Sequence, residues 1–253
     1  MTGKGLLTGT VSCGVLVALW AGAARITGSF FILPSPYQVF RDSIVLVRDP
    51  SFFLMLAATC SRGLAAFAIS LILSFLLGFP AGMSDSFSAA LRPWMTIIKA
   101  TPVVSFILIA ILWFGSSFVP VFVSVLMTLP VLTEAIAQGV RSSDSKLLEM
   151  SKAYHFRKLD VLLHIQLPSA LPFFIGGAGA SLGLTWKVVV AGEILSIPHI
   201  GIGSSLQTAK VHLETARVFS LTLSAIALSI LTELLFEFLM HLSRRHAGQE
   251  GRP

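Results

Sequence analysis

The chain has 253 residues, 55% of them hydrophobic and 12% charged, with a mean hydropathy of +0.85. A soluble domain carries about twice that charged fraction, so the composition excludes an ordinary water-soluble enzyme and describes a polytopic helical membrane protein. The net charge of +6 is assigned to loops flanking membrane spans rather than to a nucleic-acid surface, because no basic helix or aromatic platform accompanies it.

The uncharged run Gly5–Ala24 predicts a first span over about 5–25, since crossing roughly 30 Å of hydrocarbon takes about 20 residues at 1.5 Å each. Cys13 lies in this run and Cys60 at the start of the next. Neither has a C-x-x-C or metal-type spacing, and both read as small apolar fillers. From Arg25 to Arg62 the chain is mixed, with Pro34, Pro36 and Pro50 as breaks. A short amphipathic helix is expected from Tyr37 to Val47, with Val39, Ile44 and Val47 resting on the membrane surface. A second span follows over 63–84.

Ala100–Thr133 contains no charge and would be about 51 Å long as one helix, too long for a single span. Gly115-Ser116-Ser117 and Pro120 fold it into a hairpin of two spans, 93–114 and 118–140. Lys99 and Glu134 then fall inside the membrane, about 10 Å from the same end of each span. Antiparallel neighbours would bring them level. Either the two form a structural ion pair, or Lys99 snorkels alone to the interface.

Residues 141–168 form the longest polar passage. Ser143 or Asp144 is placed to cap a helix carrying Leu147, Ser151 and Tyr154 on one face and ending near His155. A second helix, Lys158 to Gln166, is expected to stop at Leu167-Pro168. A fifth span covers 172–196, with a small-residue stretch at Gly176–Gly183 suited to close helix approach. A polar loop, Ile197–Arg217, precedes a sixth span over 218–240. With six spans, the loops on the terminal side hold ten basic residues and the others six, which favours cytoplasmic termini and a cytoplasmic 141–168 loop. Spacing alone leaves two uses for that loop equally open: lying on the bilayer, or docking into a partner's groove.

Glu149-Met150-Ser151, three residues, His155, nine residues, then Ile165-Gln166-Leu167-Pro168 keeps every spacing of the pattern E-A-A-x3-G-x9-I-x-L-P. Two alanines are replaced by Met150 and Ser151, and the glycine by His155, which enters a left-handed turn less readily. L-P-S-P near Leu33, A-T-P at Ala100, L-W-F-G at Leu112, W-K-x-x-x-A-x-E at Trp186–Glu193 and the following G-I-G fit the same picture. The chain resembles, over nearly its whole length, the integral permease subunits of bacterial ABC importers of the nitrate, sulfonate and taurine type. The resemblance implies an all-α type I importer permease fold in the inner membrane, with coupling helices between spans four and five. It also implies docking through Leu147, Glu149, Ser151, Tyr154, His155, Ile165, Leu167 and Pro168 to a cytoplasmic ATP-binding subunit, a second permease copy, and an external solute-binding protein.

No G-x-x-x-x-G-K-[ST] phosphate loop occurs in the chain, so a transport subunit powered by another polypeptide is expected rather than an enzyme; no cofactor or metal is called for. Within the spans, Lys187 is a candidate pathway residue that would attract an anion, or else a partner in an ion pair with another helix. Trp186 and Glu193, seven apart, share another face and are also candidates for the pathway. Glu233 and Glu237 are assigned to a subunit contact or the interface, and His164, His199 and His212 to the surface. An intramembrane enzyme would need a motif such as H-E-x-x-H or G-x-S-x-G, and a channel a filter loop; neither is present. The expected solute is a sulfonate, taurine or nitrate, with a thiamine or pyrimidine precursor as the alternative.

Overall fold

In chain order the helices are α1 (Gly3–Thr27), α2 (Pro36–Arg48), α3 (Pro50–Met83), α4 (Asp85–Ala100), α5 (Val103–Trp113), α6 (Val119–Arg141), α7 (Ser145–Ala153), α8 (Lys158–Val161), α9 (Leu167–Ser196), α10 (Ile202–Val211) and α11 (Thr215–Ala247). This computed structural model describes residues 3–29 and 31–247, with the side chains of residues 3–10, 13, 158 and 241–247 outside that description. Expectations for Lys4, Cys13, Lys158, Arg244, Arg245 and Arg252 lie outside the described residues.

α3, α6, the continuous run Leu159–Ser196 and the α11 segment Thr215–Met240 are each long and apolar enough to cross a membrane. α4 and α5 supply a fifth crossing only as a bent pair, and α1, at 25 residues, has the length of a sixth. α6 and α9 form the centre, flanked by α3 and α11. Leu132, Leu182, Trp186, Leu206 and Leu221 make the main core, and Ile107, Val119, Val123 and Val188 a second one under α5. Lipid offers no hydrophobic drive for helix association, so tight approach depends on small residues. Gly78 lies against Ile136, Gly139 against Ala170 and Gly177 against Ala135, each without room for a Cβ. Within the Gly176–Gly183 stretch, Gly176 and Gly179 face open space, so only part of it serves packing.

Four boundaries differ from the sequence expectation. The second span does not begin at 63. α3 starts at Pro50, where Asp49 accepts the Ser51 N–H at 2.9 Å, a backbone bond that holds its carboxyl below the usual carboxylate range. Arg62 therefore sits inside a helix, and its charge is met by another helix. The 93–114 span is not one helix: α4 and α5 meet at a 96° bend. Pro102 lacks an N–H and pushes Thr101 to an extended conformation, φ −79° and ψ 129°. Leu167-Pro168 does not stop the second loop helix. A π-helical turn over Leu162–Gln166 carries α8 into α9, and such a widened turn takes up the ring and missing donor of Pro168. Ile197–Arg217 is not a polar surface loop, because α10 buries Ile202, Leu206 and Ala209 against the core.

α2 matches the expected helix closely, with a Ser35–Gln38 capping box and Pro36 in its first turn. It does not simply rest on the surface. Val39 and Leu46 are buried, and Ser220 Oγ donates to the Val39 carbonyl at 3.1 Å, while Ile44 and Val47 remain exposed.

Candidate functional site

The loop between α6 and α9 presents apolar side chains to the outside at one end of the bundle. Asp144 caps α7 by accepting the Lys146 N–H at 2.9 Å. Leu147, Met150, Tyr154, Phe156, Leu159 and Leu163 are all exposed, Tyr154 most of all at 73%. Glu149, His155, Leu167 and Pro168 are exposed and Ile165 half-buried. Ser151, expected on the Leu147–Tyr154 face, is instead buried, its hydroxyl donating to the Leu148 carbonyl at 2.7 Å. α7 ends in a Schellman turn: Phe156 N–H donates to Ser151 O at 2.9 Å and His155 N–H to Lys152 O at 3.2 Å. His155 has φ 53°, so it occupies the left-handed position that suits glycine.

At the opposite end, Glu193 organises a closed polar centre. It is fully buried and accepts from Arg62 Nη1 at 2.6 Å, Thr59 Oγ1 at 3.0 Å and the Gly203 N–H at 2.9 Å. Arg62 Nη2 also donates to the Ile200 carbonyl at 2.8 Å, and the Ile202 N–H donates to Thr59 Oγ1 at 2.9 Å. α3, α9 and the start of α10 are thereby locked together. A Cβ on Gly201 or Gly203 would collide with Glu193, which accounts for the glycines of the G-I-G stretch. Ile197, at the end of α9, is held at φ 48°, an uncommon place for a β-branched residue. The expectation that Glu193 and Trp186 line a pathway is corrected. They do share a face, but it is the core face. Glu193 is 0% and Trp186 3% exposed, and the indole packs on Gly63.

Lys187 lies about 100° round α9 from Trp186, and both line a groove against α11. Lys187 is exposed there, with Thr222, Ile226 and Ser229 opposite. It forms no ion pair among the described residues, so the alternative of an ion pair with another helix is not realised. Glu233, assigned to an interface, lies against Gly183 one turn below and accepts from Ser229 Oγ at 3.0 Å. Glu237, His164, His199 and His212 are exposed. Lys99 and Glu134 do face one another's helices, but the expected ion pair is absent. Both line a shared cavity, and Glu134 accepts from Gln138 Nε2 at 3.1 Å instead. The residues that sequence reasoning missed are Thr59, Arg62, Arg92, Thr133 and Arg141. Of these only Arg62 carried a signal, as a lone charge at the edge of an apolar run.

Residues 70–245 match the family model described as "Binding-protein-dependent transport system inner membrane component". The chain belongs to that family. The permease is 28% identical over 243 residues to a probable ABC transporter permease protein of Haemophilus influenzae, covering 93% of this chain and 96% of that protein. It is 26% identical over 256 residues to the taurine transport system permease protein TauC of Escherichia coli, covering 96% and 90%. Among solved structures, a chain of the MetNI methionine ABC transporter in an inward-facing conformation superposes with a TM-score of 0.63 at 14% identity, covering 77% of the permease and 98% of that chain. That likeness is one of fold: an all-α type I importer permease.

Proposed function

We propose that the permease, paired with a second copy, forms the transmembrane route of an ATP-driven importer for a small solute bearing a sulfonate or comparable anionic group, such as taurine. A separate ATP-binding subunit in the cytoplasm docks on the 141–168 loop, and an external binding protein delivers the solute. Both termini lie in the cytoplasm of a cell whose inner membrane the six passages cross. The observation that carries this reading is the loop itself. A water-exposed segment that shows Leu147, Tyr154 and Leu159 outward is unfavourable unless a partner covers it. The short α7 and the beginning of the α8–α9 run, joined by the Schellman turn at His155, suit a groove, where one or two aromatic or aliphatic anchors carry most of the binding energy. Lys187, uncompensated in its groove, is the residue best placed to draw an anion along the route.

The test is reconstitution of the permease with its ATP-binding subunit and loaded binding protein. Leu147→Asp and Tyr154→Asp should each reduce binding-protein-stimulated ATP hydrolysis by at least about tenfold, the loss of one anchor. Glu149→Ala should also uncouple, and Lys187→Met should slow uptake while leaving the stimulated ATPase assembled. Stimulation unchanged in all three loop variants would overturn the docking role, and full uptake by Lys187→Met would remove that residue from the route.

A further inference from the structure

A second charged site lies between α4 and α6, at the end of the bundle that carries the 141–168 loop. The two helices run antiparallel there and leave a cavity of about 350 Å³, room for roughly ten waters. Arg92, Lys99 and Arg141 line it against a single carboxylate, Glu134. Arg141 is tied to the end of α3, where its Nη2 donates to the Ala81 carbonyl at 2.8 Å. Arg92 and Lys99 have no ion-pair partner among the described residues.

The charges of α4 lie on one side of the helix. Arg92, Thr96 and Lys99 recur at i, i+4 and i+7, one stripe of α4, and that stripe is turned toward α6. The opposite face shows Trp94 at 67% and Ile97 at 60% exposure. The helix thus sets its cations, still exposed, along the cavity and its apolar residues on the other side. Lys99, expected about 10 Å inside its span, is costly there unless it lines water or meets an anion.

Thr133 forms part of the cavity wall. Thr133 is buried, yet its Oγ1 has no hydrogen-bond partner. A helical threonine ordinarily donates to the carbonyl one turn back. Here that carbonyl, of Leu129, accepts instead from Ser74 Oγ of α3 at 3.3 Å. A buried hydroxyl left unsatisfied costs free energy; Thr133 lines the cavity, but its Oγ1 is closed off from the open space.

We propose that the α4/α6 cavity binds a small oxyanion of the sulfonate, sulfate or phosphate class, held by Lys99, Arg92 and Arg141. Glu134 opposes the anion and keeps its affinity moderate, as release requires. The meaning of this site for transport rests on the importer reading, but its occupancy does not. The oxyanion has two possible sources, a free solute or the phosphate of an anionic lipid.

The experiment uses the full-length permease in complex with its ATP-binding subunit, in phosphatidylcholine nanodiscs without nucleotide. Binding of labelled sulfate, phosphate and methanesulfonate is measured directly. Retention of phosphatidylglycerol is followed in parallel by native mass spectrometry. Lys99→Met should weaken binding about tenfold, the loss of a charge-assisted hydrogen bond. Glu134→Gln should tighten it severalfold, a gain that a merely structural role would not produce. Lys99-dependent binding of the free anions supports the site with a soluble occupant, and Lys99-dependent retention of phosphatidylglycerol alone supports it with a lipid phosphate. No saturable binding of either kind, or binding indifferent to Lys99→Met and Glu134→Gln, overturns the proposal. Because no ATP or solute movement is involved, failed uptake leaves this site standing, and failed binding leaves the importer reading standing.

Discussion

Glu193 and Glu134 are both carboxylates on central helices of the same bundle, and both have basic residues near them. Glu193 is fully buried, with Arg62 at 2.6 Å and donors from Thr59 and Gly203 filling its remaining capacity. Glu134 is exposed in a cavity with Arg92, Lys99 and Arg141 around it, and none of them closes on it. The difference teaches what a charge in lipid is for. A pair that is completely hydrogen-bonded behaves as a clamp, and nothing else fits there. A cluster with surplus positive charge and open volume is unfinished within the chain, and on the proposal above it is completed by an anion that comes and goes.

The largest test of that contrast is removal of each carboxylate. Glu193→Ala strands the Arg62 charge and the Gly203 N–H, and should destabilise the fold by about 3–5 kcal/mol, read as a lowered unfolding temperature in detergent. Glu134→Ala should change stability by under about 0.5 kcal/mol. Equal losses would erase the distinction. Next, Gly203→Ala forces a Cβ to within 2.5 Å of Glu193 Cβ and 2.6 Å of the Val190 carbonyl. Overpacking of that kind costs about 1–3 kcal/mol, and a neutral outcome would mean that the clamp has slack. His155→Gly, at the left-handed turn of the loop, should stabilise α7 by about 1 kcal/mol, visible as slower amide exchange at Tyr154 and Phe156. Smallest is Thr133→Val, which trades an unsatisfied buried hydroxyl for a methyl group. It should be neutral, or stabilising by up to about 1 kcal/mol, and a loss of more than that would reveal a partner for the hydroxyl.

Much of the fold was legible from the chain alone. Uncharged runs marked the spans, and α6 and α9 ended within a few residues of their expected bounds on at least one side. The polar passage located α7 and narrowed its cap to Ser143 or Asp144, of which the structure uses Asp144, and the loop signature marked the left-handed turn at His155. Where reading failed, a local rule was overridden by a distant contact. Arg62 looked like the end of a span, but a carboxylate 131 residues away neutralises it and the helix runs through. Pro168 looked like a stop, but a π-helical turn absorbed it. Trp186 and Glu193 were rightly placed on one face, yet seven-residue spacing cannot say whether that face meets the core or the route.

By itself the sequence determined the membrane character, the family signature of the 141–168 loop and the absence of a phosphate loop, because hydropathy, motif spacing and residue type are local properties. Only the tertiary structure decided which intramembrane charges are spent and which are available. That decision depends on distances between helices far apart in the chain: Glu193 is saturated by α3 and α10, whereas the 96° bend after α4 accompanies a gap beside α6 in which Lys99 and Glu134 share a space without closing it.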